Sequence, residues 1–172
     1  MDRIVTAMAY NYANGKLYAL AVNDEPGTNN SLYEVSLPLG TLTEIAPIQA
    51  FDADGNPVFL NEFCIDKNGN AYGVNKSYSE PYLQSIDLTT GVCTIIGGTG
   101  MKSYAGFFDS NILPCGYMAF DNENGTIVHY DGLNGWGNFK PETGEYIHNR
   151  PFGSATIYCI YVRDSEPEIE IP

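Results

Sequence analysis

The segment Asn14-Gly15-Lys16-Leu17-Tyr18 indicates a repeat architecture, because it recurs as Asn68-Gly69-Asn70-Ala71-Tyr72 and again as Asn124-Gly125-Thr126-Ile127-Val128. The distance along the chain is 54 residues from Gly15 to Gly69 and 56 residues from Gly69 to Gly125. A fixed period of this length is typical of one supersecondary unit used repeatedly.

A second landmark follows each copy of the first. Gly40-Thr41 in the first copy has counterparts at Thr90-Gly91 and at Thr143-Gly144. Two landmarks that recur with the same period are hard to obtain by chance, so the chain contains three related repeats.

Each repeat reads as four short strands. The first strands, near residues 7–10, 62–65 and 117–120, are apolar, and Asn-Gly closes each of them into a hairpin. We expect positive φ at both the Asn and the Gly, as in a tight two-residue turn. No stretch of about 12 residues has a helical apolar stripe, and the 18 Gly and 10 Pro are spread along the chain as turn residues. The sequence therefore predicts an all-β protein.

Four-stranded units in tandem are typical of β-propeller blades. Tyr82-Leu83-Gln84-Ser85-Ile86-Asp87-Leu88-Thr89-Thr90-Gly91 resembles the blade signature of bacterial quinoprotein-like and surface-layer-like propellers. The resemblance implies that Asp87 accepts hydrogen bonds from its own turn and that Gly91 has positive φ. The first and third copies depart from it, with Ser36 and Lys140-Pro141 near the place of Asp87. The tryptophan-docking motif of true quinoproteins is absent, so no cofactor is implied.

The repeats predict a β-propeller-like domain over residues 1–162, with blades at about 4–46, 58–97 and 115–148, an extra strand at 156–162 and an acidic tail or linker at 163–172. Three blades are fewer than the roughly four to eight that close a propeller ring. Three explanations remain open: the chain is part of a larger propeller, two copies form one six-bladed ring, or the extra strand pairs back onto the first blade. We expect a homo-oligomer or missing blades.

Composition and charge limit the partners. The net charge is −13, with only 8 Lys and Arg, and such a field repels nucleic acid and anionic lipid. No apolar run reaches the roughly 18 residues of a membrane span, so we expect no membrane insertion. We find no signal peptide, and the compartment stays open, although the resemblance suggests an extracellular or cell-surface protein.

These observations favour a non-catalytic binding or interaction module, part of a β-propeller in a larger bacterial surface or secreted protein, with carbohydrate or protein as the ligand. One alternative is a carbohydrate-active enzyme, a glycosidase or lyase, with acids or a His converging on the central channel of the propeller. Another is a purely structural repeat that self-assembles through its open edges.

The candidate ligand site is Trp136 together with Tyr130, Asp131 and Asn134. Trp136 is the only Trp of the chain and lies between two glycines, in what we interpret as a loop on a propeller face. An aromatic face beside hydrogen-bonding groups can recognise a sugar or a peptide. The alternative is that the indole ring folds inward and fills the space between blades.

Other chemistry is sparse. His129 and His148 have no paired metal spacing, and we interpret both as structural or solvated. Cys64, Cys93 and Cys159 lie in apolar strands as expected for buried thiols, and no metal site is predicted.

Asp52-Ala53-Asp54-Gly55-Asn56 resembles the start of a calcium loop, but Phe63 stands where the bidentate Glu of an EF-hand belongs. We therefore interpret this segment as a connector turn between blades.

Overall fold

The structure is a computed structural model, and it describes residues 3–23, 30–75, 80–101, 116–131 and 135–150. These residues form twelve strands in three four-stranded antiparallel sheets, and none of them is helical. The predicted all-β fold is confirmed. Within the described ranges, no helix has the length and apolar character needed to cross a membrane.

Each sheet is one blade, and its strands are neighbours in chain order. Blade 1 contains β1 (Arg3–Asn11), β2 (Lys16–Asn23), β3 (Ser31–Ser36) and β4 (Thr41–Pro47). Blade 2 contains β5 (Leu60–Ile65), β6 (Ala71–Asn75), β7 (Tyr82–Ile86) and β8 (Cys93–Gly98). Blade 3 contains β9 (Gly116–Asp121), β10 (Thr126–Asp131), β11 (Gly135–Phe139) and β12 (Tyr146–Arg150). The predicted extra strand 156–162 and tail 163–172 lie outside the described residues.

The first hairpin of each blade lies where the Asn-Gly pairs predicted it, but the turn type differs from the expectation. Gly15, Gly69 and Gly125 have φ of 73°, 91° and 66°, whereas no described non-glycine residue has positive φ. The loops are longer than two residues, because Asn11 pairs with Lys16 and Asp121 with Thr126 across four intervening residues. In a turn of this length only the last residue needs the left-handed conformation, so Gly alone adopts it.

The second hairpin of blade 2 has the predicted chemistry. The Asp87 carboxylate accepts hydrogen bonds from the Thr89 amide at 2.7 Å and the Thr90 amide at 3.2 Å, and Gly91 has φ of 70°. These bonds satisfy amides that the turn leaves without a strand partner. The resemblance to propeller blades therefore predicted this turn correctly.

The blades pack face to face along their first strands, since β1 contacts β5 and β5 contacts β9. We call each interface between neighbouring blades a seam. Each blade has a following face, turned toward the next blade in the chain, and a preceding face, turned toward the blade before. Because strand residues alternate between faces, every second residue enters a given seam.

Two apolar clusters fill the seams. The seam between blades 1 and 2 buries Tyr18, Leu20 and Leu32 of blade 1 against Phe63 and Ile86 of blade 2, among others. The seam between blades 2 and 3 buries a second cluster, which includes Val74 and Leu83 of blade 2 and Met118, Ile127 and Phe139 of blade 3. The three blades are thus an unclosed, partial β-propeller within the described residues.

Candidate functional site

Trp136 lies in a strand, not in a loop as the sequence suggested. It is the second residue of β11 and pairs with Tyr130 of β10. The two rings are 5.1 Å apart at 51°, with Tyr130 only 7% exposed and Trp136 half-buried. The flanking Gly137 does not loosen a loop, because a Cβ there would be 2.3 Å from Cζ of Tyr146. The glycine instead makes room for the Tyr146 ring.

Asp131 and Asn134 were predicted beside this pair. Asp131 is the last residue of β10 and pairs with Gly135, and Asn134 lies outside the described residues. Among the described residues, the structure thus brings together the aromatic half of the predicted site, Trp136 and Tyr130.

The position of Trp136 has a counterpart in each of the other blades. Leu32 pairs with Leu20 and Leu83 pairs with Val74, as Trp136 pairs with Tyr130. In each blade, the pairing between the third and fourth strands also shifts register directly after this residue. Leu32 and Leu83 are both 0% exposed in the seam with the next blade. Trp136 therefore occupies a seam position on the following face of blade 3.

A second constellation, Glu62 and His129, was not predicted. Nε2 of His129 on β10 is 2.7 Å from Oε2 of Glu62 on β5, and both side chains have no exposed surface. The pair joins the following face of blade 2 to the preceding face of blade 3. Aligning the three repeats by their strand pairing could have revealed this pair. His129 aligns with Ala19 and Gly73, and Glu62 aligns with Ala7 and Tyr117, so no counterpart is a histidine or a carboxylic acid.

Tyr146 extends this pair. Its hydroxyl donates to the Gly135 carbonyl at 3.1 Å and lies 3.4 Å from Nδ1 of His129. With that donation made, the hydroxyl oxygen can accept the Nδ1 proton. Nε2, the other ring nitrogen of His129, then faces Oε2 of Glu62 across the seam.

The chemistry open to this pair follows from its burial. Both groups are closed to solvent, so they cannot exchange protons with a substrate at the surface in this conformation. Removing either partner would leave a polar group in the seam, which is costly. The arrangement is suited to fixing blade 3 on blade 2 in one register.

The calcium-like segment forms a capped turn. Oδ1 of Asp52 accepts hydrogen bonds from the amides of Asp54 at 3.0 Å and Asn56 at 2.9 Å. The hydrogen bonds from Asn56 hold the pKa of Asp52 below its ordinary value. Asp66 caps the turn before β6 in the same way, through the amides of Asn68 and Asn70. No group of three or more metal-ligating side chains is found in the part of the chain that the structure describes.

The described cysteines are free thiols. Cys64 is buried and Cys93 is half-buried. Burial raises the pKa of both, that of Cys93 to about 12, so neither is a reactive thiolate at neutral pH. Cys115 and Cys159 lie outside the described residues.

A groove of about 440 Å³ lies between blades 2 and 3 on the side of the hairpin turns, with Tyr72, Ser85, Asp87 and Pro141 in its lining. Tyr72 stacks on Phe120 with ring centroids 5.7 Å apart. The Asp87 carboxylate in this groove is engaged by the hydroxyl and amide of Thr89, which lower its pKa. The lining of the groove is therefore mixed, with polar and apolar side chains and one aromatic ring, that of Tyr72.

Comparisons with known proteins concern the fold. No protein-family model matches the chain, and no curated protein matches it. A crystal structure of TolB from Acinetobacter baumannii is 14% identical over 85% of this chain and 31% of that one, with a TM-score of 0.43. A crystal structure of puromycin hydrolase is 13% identical over 88% of this chain and 22% of that one, with a TM-score of 0.47. The chain thus spans less than a third of either protein.

Proposed function

We propose that the chain is a non-catalytic interaction module of the β-propeller class, and that it binds a protein partner through the following face of blade 3. The observation that carries the proposal is the position of Trp136. It aligns with two leucines that are completely buried between blades, yet its indole ring is only half-buried. A large aromatic side chain in such a place is the kind of residue that dominates protein interfaces.

The neighbours of Trp136 support a protein partner over a sugar. Residues opposite each other in antiparallel strands share a face, so Val128, Asn138 and Ile147 lie on the same face as Trp136 and Tyr130. Val128 is half-buried and Ile147 is 43% exposed. Asn138 is already engaged, because it donates to Thr126 Oγ1 at 3.0 Å and accepts from Asn149 at 2.5 Å. Among the described residues, this face of blade 3 is thus mainly apolar, like the seam faces of blades 1 and 2.

The test uses a phage-displayed library of short random peptides, panned against the immobilised chain, and a glycan array probed with the same protein. We expect apolar peptides that bind the wild type and lose affinity by about tenfold or more on Trp136→Ser. Ile95→Ser is the matched control, because Ile95 is 37% exposed on β8 of another blade. Peptides should bind this control as they bind the wild type.

Equal binding of the selected peptides to Trp136→Ser and the wild type would contradict the proposal. Glycan binding that depends on Trp136 would instead favour the carbohydrate alternative. Circular dichroism of each variant must first show the wild-type β spectrum, so that lost binding is not lost folding.

A further inference from the structure

The three Asn-Gly hairpin turns share a dipeptide but hold their asparagine side chains differently. Asn14, Asn68 and Asn124 are all exposed, and each is followed by a glycine with positive φ. In the turn of blade 1, Nδ2 of Asn14 donates to the Tyr18 hydroxyl at 2.9 Å, and Oδ1 accepts from the Lys16 amide at 3.1 Å. The carboxamide of this asparagine is therefore held at both ends.

The turn of blade 3 restrains its asparagine, but the turn of blade 2 does not. Nδ2 of Asn124 donates to Oδ2 of Asp121 at 2.7 Å. In blade 2 the corresponding carboxylate oxygen, Oδ2 of Asp66, accepts from Nδ2 of Asn70 at 2.8 Å instead. Asn68 bonds to Asp66 through its backbone amide, and its side chain has no hydrogen bond to any described residue.

An unrestrained asparagine side chain before a glycine can react with the backbone. The amide nitrogen of the glycine loses its proton to a base in solution and bonds to Cγ of the asparagine, while the side-chain NH2 group takes up a proton and leaves as ammonia. Water then adds to either carbonyl carbon of the resulting succinimide and opens it to aspartate or isoaspartate. Glycine favours the ring closure, because it has no Cβ to hinder the approach of its nitrogen.

The nucleophile, the glycine amide, is engaged to a similar extent in all three turns. It donates to the carbonyl at the start of its turn, at 2.8 Å for Gly15, 3.1 Å for Gly69 and 2.9 Å for Gly125. The bond of Gly69 is the longest of the three, so the backbone gives this turn no added protection. The restraint on the asparagine side chain is thus the main difference between the turns.

We propose that Asn68 is a site of spontaneous deamidation, and that it reacts faster in the folded chain than Asn14 and Asn124 do. The side chains of Asn14 and Asn124 must break hydrogen bonds before they can turn toward the glycine nitrogen. The loss of one or two such bonds should slow the reaction by about threefold to tenfold. This reaction is independent of the function proposed for blade 3.

The position of the turn gives the modification a structural effect. Gly69 lies against blade 1, since a Cβ there would be 3.3 Å from the side chains of Asn11 and Ala13. On the other side, the Lys67 amide donates to Oδ1 of Asn122 in blade 3 at 2.8 Å. Isoaspartate lengthens the main chain of the turn and adds a negative charge, so the turn should fit both neighbouring blades less well.

The test incubates the full chain in mildly alkaline buffer and follows the three sites by peptide mapping with tandem mass spectrometry. We expect aspartate and isoaspartate to accumulate at Asn68 about threefold to tenfold faster than at Asn14 and Asn124. The chain unfolded in guanidinium chloride is the control, and there the three sites should react at similar rates because each precedes a glycine. Equal rates in the folded chain, a faster reaction at Asn14 or Asn124, or the same ratios in the unfolded chain would overturn the proposal.

Two variants test the role of the side-chain hydrogen bond. Tyr18→Phe removes the acceptor of Asn14 Nδ2, so it should raise the rate at Asn14 about threefold and leave the rate at Asn68 unchanged. Asn68→Gln has a longer side chain that closes a ring much more slowly, so it should abolish the fast reaction. An unchanged rate at Asn14 in Tyr18→Phe, or a fast reaction that persists in Asn68→Gln, would contradict the assignment.

Discussion

The two seams share one backbone arrangement but are filled with different chemistry. Glu62 and His129 lie in the seam between blades 2 and 3, whereas the aligned positions in the seam between blades 1 and 2 hold Ala7 and Gly73. A Cβ on Gly73 would be only 3.0 Å from the Glu62 carbonyl oxygen and the Leu60 side chain, so that position has no space for an imidazole. Strand pairing thus sets where a seam forms, while a few side chains set which blades fit each other.

Loss of the Glu62–His129 pair should lower stability more than any other substitution considered below. His129→Ala removes the partner of a carboxyl group that has no exposed surface, and we expect the free energy of unfolding to fall by about 3–5 kcal/mol. The double variant Glu62→Met with His129→Leu makes this seam apolar like the other one. It should recover most of that loss, because apolar side chains often replace a buried pair at little cost.

Urea denaturation at neutral pH measures these differences. His148→Ala is the control. His148 is exposed on the same blade and packs edge-on against the Tyr146 ring, with 4.7 Å between ring centroids, so its loss should lower the free energy of unfolding by no more than about 1.5 kcal/mol. If the double variant is as unstable as His129→Ala, the side chains of this seam contribute something other than a satisfied polar pair.

The second prediction compares glycines at one turn position in different blades. Gly40 and Gly91 have nearly equal φ, 68° and 70°, but a Cβ on Gly91 would lie 2.3 Å from the Pro47 carbonyl oxygen. A Cβ on Gly40 would have no atom within 4 Å. Gly40→Ala should therefore cost only the left-handed strain, about 1–2 kcal/mol. Gly91→Ala should cost about 1–3 kcal/mol more, because the seam must open to admit a methyl group.

Thermal unfolding followed by circular dichroism is sufficient for this comparison. Gly144, whose Cβ would be 2.7 Å from the Gly97 carbonyl oxygen, provides the same test in the other seam. Gly144→Ala should resemble Gly91→Ala. If Gly40→Ala and Gly91→Ala lower the stability equally, the turn of blade 2 is not in tight contact with blade 1.

The repeat, the strand order and the turn glycines could be read from the sequence because they depend on local chemistry. Gly15, Gly91 and Asp87 have the conformations or hydrogen bonds that their turns require. The φ values of Asn14, Asn68 and Asn124 were predicted wrongly, because the number of residues in a hairpin depends on register as well as on the residues at its tip.

The candidate site was harder to predict because it depends on packing between blades. Trp136 was placed in a loop because of its flanking glycines. The missing side chain of Gly137 instead leaves space for the ring of Tyr146 on the next strand. Glu62 and His129 lie 67 residues apart in the chain and meet only after two blades have packed. A pairwise pattern of that kind has no local signal, although aligning the three repeats shows that these two positions differ from their counterparts.

Substitutions at the first residue of the second hairpin turns of blades 2 and 3, which lie at the edges of the seams, should change stability least. Asp87 in blade 2 aligns with Lys140 in blade 3. Each residue begins its turn, and its backbone carbonyl accepts a hydrogen bond from the amide of the turn glycine, Gly91 or Gly144. Asp87 acts through hydrogen bonds from Thr89, whereas Lys140 pairs with Glu145 at 2.5 Å in an exposed position. An exposed ion pair is screened by salt, but hydrogen bonds within one turn are not. Lys140→Ser should therefore be less destabilising in about 1 M NaCl than at low salt, and Asp87→Ser should be equally destabilising in both.

The two turns should also differ in their response to acid. Hydrogen bonds from the hydroxyl and amide of Thr89 lower the pKa of Asp87 from its ordinary value of 3.8. A carboxyl group whose pKa is lower in the folded state stabilises that state above its unfolded pKa, and the contribution is lost as pH falls through the folded pKa. The difference in stability between the wild type and Asp87→Ser should thus be full at pH 7 and shrink below about pH 4.

Asp87→Asn keeps an oxygen acceptor for the turn amides and is the control, so it should be less destabilising than Asp87→Ser at pH 7. Urea titrations at pH 7 and at several acid values measure the difference, and a loss for Asp87→Ser that is the same at every pH would mean that the carboxylate charge does not stabilise this turn.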